Sequence, residues 1–183
     1  MSFGFIAALL TAIIVLLINC LVVISILESL LIGVPFLPVS SKVLPKILEA
    51  LELKQGSLFV DLGCGDGRVM EFCLKQAPGI SCLGLERGFI PFFLAKIRLR
   101  GLKSARVLRN DFFKYDLSGA THIFAYLSSG SMDKLLPKLE KELRPKTRLV
   151  SCDFAFSRKE PLKIIDLDRP KGALCRKLLV YEF

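Results

Sequence analysis

The hydrophobic pattern changes period twice along the chain. Of residues 1–32, only Ser2, Gly4, Thr11, Asn19, Ser25, Glu28 and Ser29 are not apolar, and residues 5–26 carry no charge. Wound as an α-helix, those 22 residues reach about 33 Å, the thickness of a bilayer core. The run therefore predicts one N-terminal transmembrane helix. A cleaved signal peptide would begin with Lys or Arg and end at small residues; neither is clear here, which favours an uncleaved anchor. Gly33-Val34-Pro35-Phe36-Leu37-Pro38 then breaks the run. Val43, Leu44, Ile47, Leu48 and Leu51 follow at helical spacing. Ser40 or Ser41 offers an N-cap, Pro45 suits the first turn, and Gln55-Gly56 ends the helix.

Beyond residue 56 the pattern alternates. Strand-like runs occupy 57–62, 81–86, 105–109, 123–127, 148–154, 162–167 and 173–181, and helix-like runs 68–76, 90–100 and 132–143. The first four strands and their crossovers read as βαβ units and so as a parallel sheet. Only Asp168-Arg169-Pro170-Lys171-Gly172 separates the last two strands, so they should pair antiparallel. The predicted fold is α/β, a doubly wound Rossmann-like sheet of seven strands with a terminal antiparallel hairpin. Three parts follow: an anchor at 1–32, a linker with an amphipathic helix at 33–56, and a domain at 57–183.

Composition and charge narrow this further. The chain of 183 residues is 52% hydrophobic, but the excess lies in the first 32; the remainder is about 46%, an ordinary globular value. Disorder, a polytopic membrane protein and a disulfide miniprotein are thereby excluded. No Lys or Arg precedes Lys42, while Lys42, Lys46 and Lys54 follow the apolar run closely. The positive-inside rule then puts the domain on the cytoplasmic side of a membrane, or its organellar equivalent. Residues 33–183 hold 26 basic and 16 acidic side chains, a formal +10, which suits an anionic leaflet, RNA or an acidic protein. The six cysteines include no CxxC pair, and His122 is the one histidine. No metal site is expected, and most of the cysteines read as small apolar residues in a reducing compartment.

The densest chemistry lies at Asp61-Leu62-Gly63-Cys64-Gly65-Asp66-Gly67-Arg68, where an apolar strand enters a three-glycine turn before a helix. Glycine lets the backbone turn sharply and a ligand approach it closely. Glu86, 19 residues after Gly67, stands at the next strand end, where a doubly wound fold places its ribose-binding carboxylate. A dinucleotide loop reads GxGxxG; this one reads GxGxG, with Asp61 before it and Asp66 inside. Acids are poor neighbours for a pyrophosphate and good ones for a ligand carrying an ammonium and a sulfonium.

The heptapeptide Asp61–Gly67 resembles motif I of the class I S-adenosylmethionine (SAM) methyltransferases. The resemblance implies a seven-stranded sheet with SAM as cofactor. It assigns the methionine end of the cofactor to Asp61, the loop to Gly63, Gly65 and Gly67, the ribose to Glu86, and the adenine to Asp111 in Arg109-Asn110-Asp111-Phe112. The anchor, Val34-Pro35-Phe36-Leu37-Pro38, the glycine loop and Asn110-Asp111-Phe112-Phe113-Lys114 together resemble the small membrane-anchored lysine methyltransferases. Those enzymes act on the adenine nucleotide translocase or the c-ring protein of ATP synthase. Two motifs depart: the family's Asn-Pro after the second-strand acid is Arg87-Gly88-Phe89 here, and its Asp-Leu-Trp is Asp111-Phe112-Phe113. The partners implied are a membrane, through the N-terminal helix, and a membrane-protein substrate.

Methyl transfer from a sulfonium needs alignment and electrostatics more than a dedicated base. By analogy, the end of the fourth strand borders the methyl, making Tyr126 and Ser128 candidates for aligning the acceptor, with packing or a helix cap as the plainer roles. His122 reads as structural and Asp116 as a solvated loop acid. Pro35 and Phe36 fit either a cover on the cofactor or a surface linker. Nucleic acid is disfavoured as a substrate, because the Asn/Asp-Pro-Pro-Tyr of many base-amine methyltransferases is absent. A dehydrogenase is disfavoured because no TyrxxxLys pair exists. A methyltransferase of a lipid or quinone-type molecule and a non-catalytic SAM-binding module remain open.

Overall fold

The computed structural model describes residues 3–32 and 37–183, with side chains in the first stretch at 4–20, 22 and 23. The chain divides into two compact units, Met1–Pro35 and Phe36–Phe183. The first is helix α1, Phe3–Ile32. Its apolar side chains are exposed, Leu16 at 64% and Leu17 at 58%. Among the described residues no helix is long and apolar enough to cross a membrane. The crossing predicted for residues 1–32 is therefore not shown, and part of that segment lies outside the described residues.

The second unit opens with a 3-10 turn, Ser41–Val43, and helix α2, Leu44–Leu51. Neither serine makes the predicted side-chain cap: Ser40 stands at the N-cap without a side-chain hydrogen bond, so Pro45 starts the helix alone. The helix stops at Glu52, in the left-handed region, rather than at Gln55-Gly56. Leu44, Ile47, Ala50 and Leu51 are buried. At about 2 kcal/mol for each large side chain, this face is firmly docked on the unit. Arg148 holds the end of α2 by donating to Ala50 O at 2.7 Å and Glu52 Oε1 at 2.7 Å.

The sheet contains β1 (Leu58–Leu62), β2 (Ser81–Glu86), β3 (Ala105–Arg109), β4 (His122–Ala125), β5 (Arg148–Cys152), β6 (Lys163–Asp166) and β7 (Lys177–Glu182). Its order is β3-β2-β1-β4-β5-β7-β6. β1 pairs parallel with β2 and with β4, while β7 runs antiparallel to β5 and to β6. The seven-stranded Rossmann-like sheet and the terminal antiparallel pair are thus as predicted. Helices α2, α3 (Arg68–Gln76) and α4 (Phe89–Arg98) share one core cluster with one face of the sheet. Helix α5 (Ser129–Glu142) serves the other face, with Leu117 and Phe156 contributed by loops.

Four sequence expectations change. No helix lies between β3 and β4, so that crossover is not a βαβ unit; residues 110–121 cross as loop and bury Leu117. Helix α5 begins at Ser129 instead of 132, because Ser128 caps it. β7 begins at Lys177 instead of 173, because the N–H groups of Cys175, Arg176 and Lys177 all donate to the Asp153 carboxylate. Finally, Cys152 and Cys175 form a disulfide, so these two are not the plain apolar thiols expected. Cys64, Cys73 and Cys82 are free and buried, as that reading requires.

Candidate active site

Sheet order reverses at β1, where chain continuation switches from β2–β3 on one side to β4 on the other. Ligands of open α/β sheets bind beyond the carboxyl ends of the strands at such a point. The β1–α3 turn lies there. Gly63, Gly65 and Gly67 adopt φ of +73°, +56° and +77°, where side chains are strained. A Cβ on Gly67 would also stand 3.0 Å from Leu99 Cδ1. The N–H groups of Gly63 and Cys64 donate to Leu85 O at 2.8 and 3.2 Å, which ties the turn to the end of β2. Gly84, in β2, is a support that sequence reasoning missed: a Cβ there would meet Cys64 Sγ at 2.6 Å and Met70 Sδ at 2.7 Å. Its signal is a lone glycine inside an apolar strand.

The structure gives the four acids around this turn different surroundings. Glu86 links two loops, accepting from Gly65 N–H at 2.9 Å through Oε2 and from Gly88 N–H at 2.7 Å through Oε1. Each oxygen keeps a further lone pair for a donor such as a hydroxyl. Asp61 is 2% exposed, and its Oδ2 is buried without a partner among the described residues. Burial, and after it the charges of Glu86 and Asp66, push its carboxyl from 3.8 up to about 8.

Asp66 differs from the expectation of an acid offered to the ligand. Arg68 grips it at 2.8 Å and Arg98, from α4, at 2.8 Å. Despite the burial that opposes it, these contacts hold its carboxyl below the usual value. Arg98 also donates to Asp66 O at 2.9 Å and reaches Glu71 at 3.1 Å, clamping the loop to two helices. Asp111 stands after β3, where Oδ1 accepts from Phe113 N–H at 3.0 Å and Oδ2 lies 3.6 Å from Arg87 Nη1. The preceding Asn110 N–H donates to Glu86 O at 3.1 Å, joining that loop to the same rim.

The far side of the rim is built from the ends of β4 and β5. Leu127 brings β4's exit against the turn, with Cδ2 3.4 Å from the place of a Gly63 Cβ. Tyr126 is half-buried and stacks on Phe154, with centroids 6.3 Å apart. Burial, and next the Asp153 carboxylate, raise its phenol above the ordinary value. Asp153 and Phe154 went unnoticed in the sequence, although an acid followed by an aromatic at a strand end repeats the pattern of Asp111-Phe112. Ser128 caps α5: Oγ pairs with Ser131 Oγ at 3.0 Å and accepts from Ser131 N–H at 3.4 Å.

The structure thus gathers Asp61, Gly63, Gly65, Gly67 and Glu86 at one turn, with Asp111 and Tyr126 on flanking strand ends. His122 opens β4 at the opposite end of the sheet, where its Nδ1 lies 2.9 Å from Thr121 Oγ1 and burial lowers its pKa. Asp116 is exposed, and its carboxyl is lowered by the Ser118 N–H and hydroxyl. Pro35 and Phe36 lie outside the described residues.

Comparison with known proteins bears on the chemistry. Residues 61–163 match the ANTKMT methyltransferase domain. A protein-lysine N-methyltransferase of Saccharolobus islandicus is 36% identical over 141 residues, covering 74% of this chain and 86% of that protein. A lysine N-methyltransferase of the ATP synthase c-subunit, from Caenorhabditis elegans, is 32% identical over 141 residues, covering 72% of each. Among solved structures, an RNA methyltransferase from Salinibacter ruber, in complex with S-adenosyl-L-homocysteine, superposes with a TM-score of 0.73. It is 26% identical, and the match covers 80% of this chain and 93% of that one.

Proposed function

Since the chain belongs to the ANTKMT methyltransferase family, and so is a SAM-dependent methyltransferase, we propose that it N-methylates a lysine side chain of a membrane protein. The observation that carries the cofactor in this reading is the Oδ2 of Asp61, without a partner among the described residues and buried beside three left-handed glycines and Glu86. A buried carboxylate without a cation is costly. A ligand bearing an ammonium and a sulfonium offsets that cost, and a pyrophosphate would add to it. The residues present therefore fit SAM, with Asp61 toward its methionine end, the glycines admitting it to the backbone, Glu86 accepting from the ribose hydroxyls and Asp111 near the adenine.

When bound, SAM supplies a methyl already activated on sulfur. The chain's own residues then have to align an amine and keep water away. Tyr126, stacked on Phe154, is proposed to line the acceptor's approach. Desolvation beside a cation favours the neutral form of a lysine amine, so no dedicated base is required. The acceptor class is supported by the names of the lysine-methylating relatives.

The proposal includes an anchor: residues 1–32 hold the enzyme in a membrane as a single pass, with the C-terminal unit on the cytoplasmic or equivalent side. Supporting it are the charge-free stretch at 5–26 and the lysines that follow it. Membranes incubated with the enzyme and methyl-labelled SAM test both parts. Label on lysine of membrane protein is expected, with the enzyme retained in the pellet after alkaline carbonate washing. Label in lipid extract or RNA would defeat the acceptor, and release by carbonate would defeat the anchor.

A further inference from the structure

The net positive charge of this chain is concentrated in one segment. Residues 87–109, from the end of β2 through α4 and β3, hold seven Lys/Arg and no Asp or Glu. The whole chain carries +9, so the other 160 residues together carry only +2. Helix α4 explains what accompanies that charge. Ala95 and Leu99 face the core, at 0% and 6% exposure. Phe93, Leu94 and Ile97, at i, i+1 and i+4, stand 47%, 45% and 69% exposed on its outer side. β3 is an edge strand and exposes Arg106.

Some of the cations have internal work. Arg98 is turned in to Asp66 and Glu71, and Arg87 lies near Asp111. Lys96, Arg100, Lys103 and Arg106 are exposed and make no ion pair among the described residues. An outward row of aromatic and aliphatic side chains flanked by such cations is the composition of a helix that lies in a lipid interface. Nucleic acid would use the cations and could stack on Phe93, but it gains nothing from Leu94 and Ile97.

We propose that the outer face of α4 is a docking surface for an anionic bilayer, with Phe93, Leu94 and Ile97 entering the headgroup region and Lys96, Arg100 and Lys103 meeting its charge. α4 begins three residues after Glu86 and its Arg98 clamps the glycine loop. Docking therefore brings the rim of the site to the lipid surface, where an amine on a membrane protein would be presented. This surface does not rest on methyl transfer, and SAM titration reports on that reading separately.

The chain contains no Trp, so Phe93→Trp creates a single reporter. The full-length variant is reconstituted in vesicles of phosphatidylcholine alone or with roughly 30% phosphatidylserine. Docking predicts a blue shift and quenching by brominated acyl chains on the anionic vesicles. Neutralising Lys96 and Arg100 to Gln should reduce the docked-to-free ratio roughly fivefold for each cation, with SAM affinity unchanged as the control for folding. An emission spectrum unmoved by anionic vesicles would overturn the proposal. So would equal quenching in phosphatidylcholine alone, or a shift produced by RNA and not by vesicles.

Discussion

Asp61 at the end of β1 and Asp153 just after β5 are both acids at strand ends on the same rim, yet they are built oppositely. Asp153 is fully used by the chain. It lies at φ +65° and accepts from the N–H groups of Cys175, Arg176 and Lys177 at 2.7, 2.6 and 3.1 Å. The Cys152–Cys175 disulfide fastens the same loop beside it. Asp61 is more deeply buried and keeps an oxygen without a partner among the described residues. One region uses its charge to hold the fold, and the other reserves it. The cofactor side of the cleft is thus prepared for a cation that the protein does not itself supply, while the acceptor side is braced from within.

Asp61→Asn is the sharpest way to break this contrast. SAM affinity should fall by about 3 kcal/mol, roughly a hundredfold, as for one partner removed from a buried pair. Stability without ligand should nonetheless rise. The folded chain keeps the Asp61 proton up to about pH 8, whereas the unfolded chain loses it near 3.8. Stability drawn from this group therefore falls as pH rises from about 4 to about 8 and is level above that. The advantage of Asn over Asp in thermal melts should grow across the same interval, and SAM binding to the native chain should strengthen across it as the proton is expelled. A variant that melts earlier at pH 8 would remove the idea of a reserved charge.

Asp153→Ala should show the reverse pattern. Three backbone donors lose a charged acceptor, and a loss of about 2 kcal/mol in denaturant unfolding is expected. Calorimetry should show SAM affinity within about twofold, since no cofactor contact is removed. If SAM binding failed while stability held, the division of labour between the two acids would be wrong. The smallest effect belongs to Ser128→Ala, where loss of the α5 cap should cost about 1 kcal/mol of stability. The rate of methyl transfer at saturating substrate should stay within about twofold. A larger fall in rate would assign Ser128 to aligning the acceptor as well.

How far each region was legible follows from the range of its contacts. Between β1 and α3 the chain must pass through three left-handed residues within five positions, and only glycine does so cheaply. That requirement is written where it acts, so turn, strand and helix could be read in order. The strand pattern likewise indicated seven strands and the direction of the last pair. Asp66 could not be read this way. Next to the glycines it looks like a ligand, but Arg98, 32 residues later, joins the neighbouring Arg68 in making it a clamp. The start of β7 was misplaced for the same reason, because Asp153, more than 20 residues away, draws off the N–H groups that would have extended the ladder. The passage from β3 to β4, included in the βαβ reading of the first four strands, is a loop that buries Leu117.

By itself, then, the sequence determined the elements, the glycine turn and which acids stand at strand ends, since backbone sterics and side-chain periodicity act over a few residues. Tertiary structure alone decided which of those acids keeps an oxygen without a partner among the described residues. A carboxylate's partners arrive from distant segments, and the energy of leaving one buried and alone depends on everything packed around it.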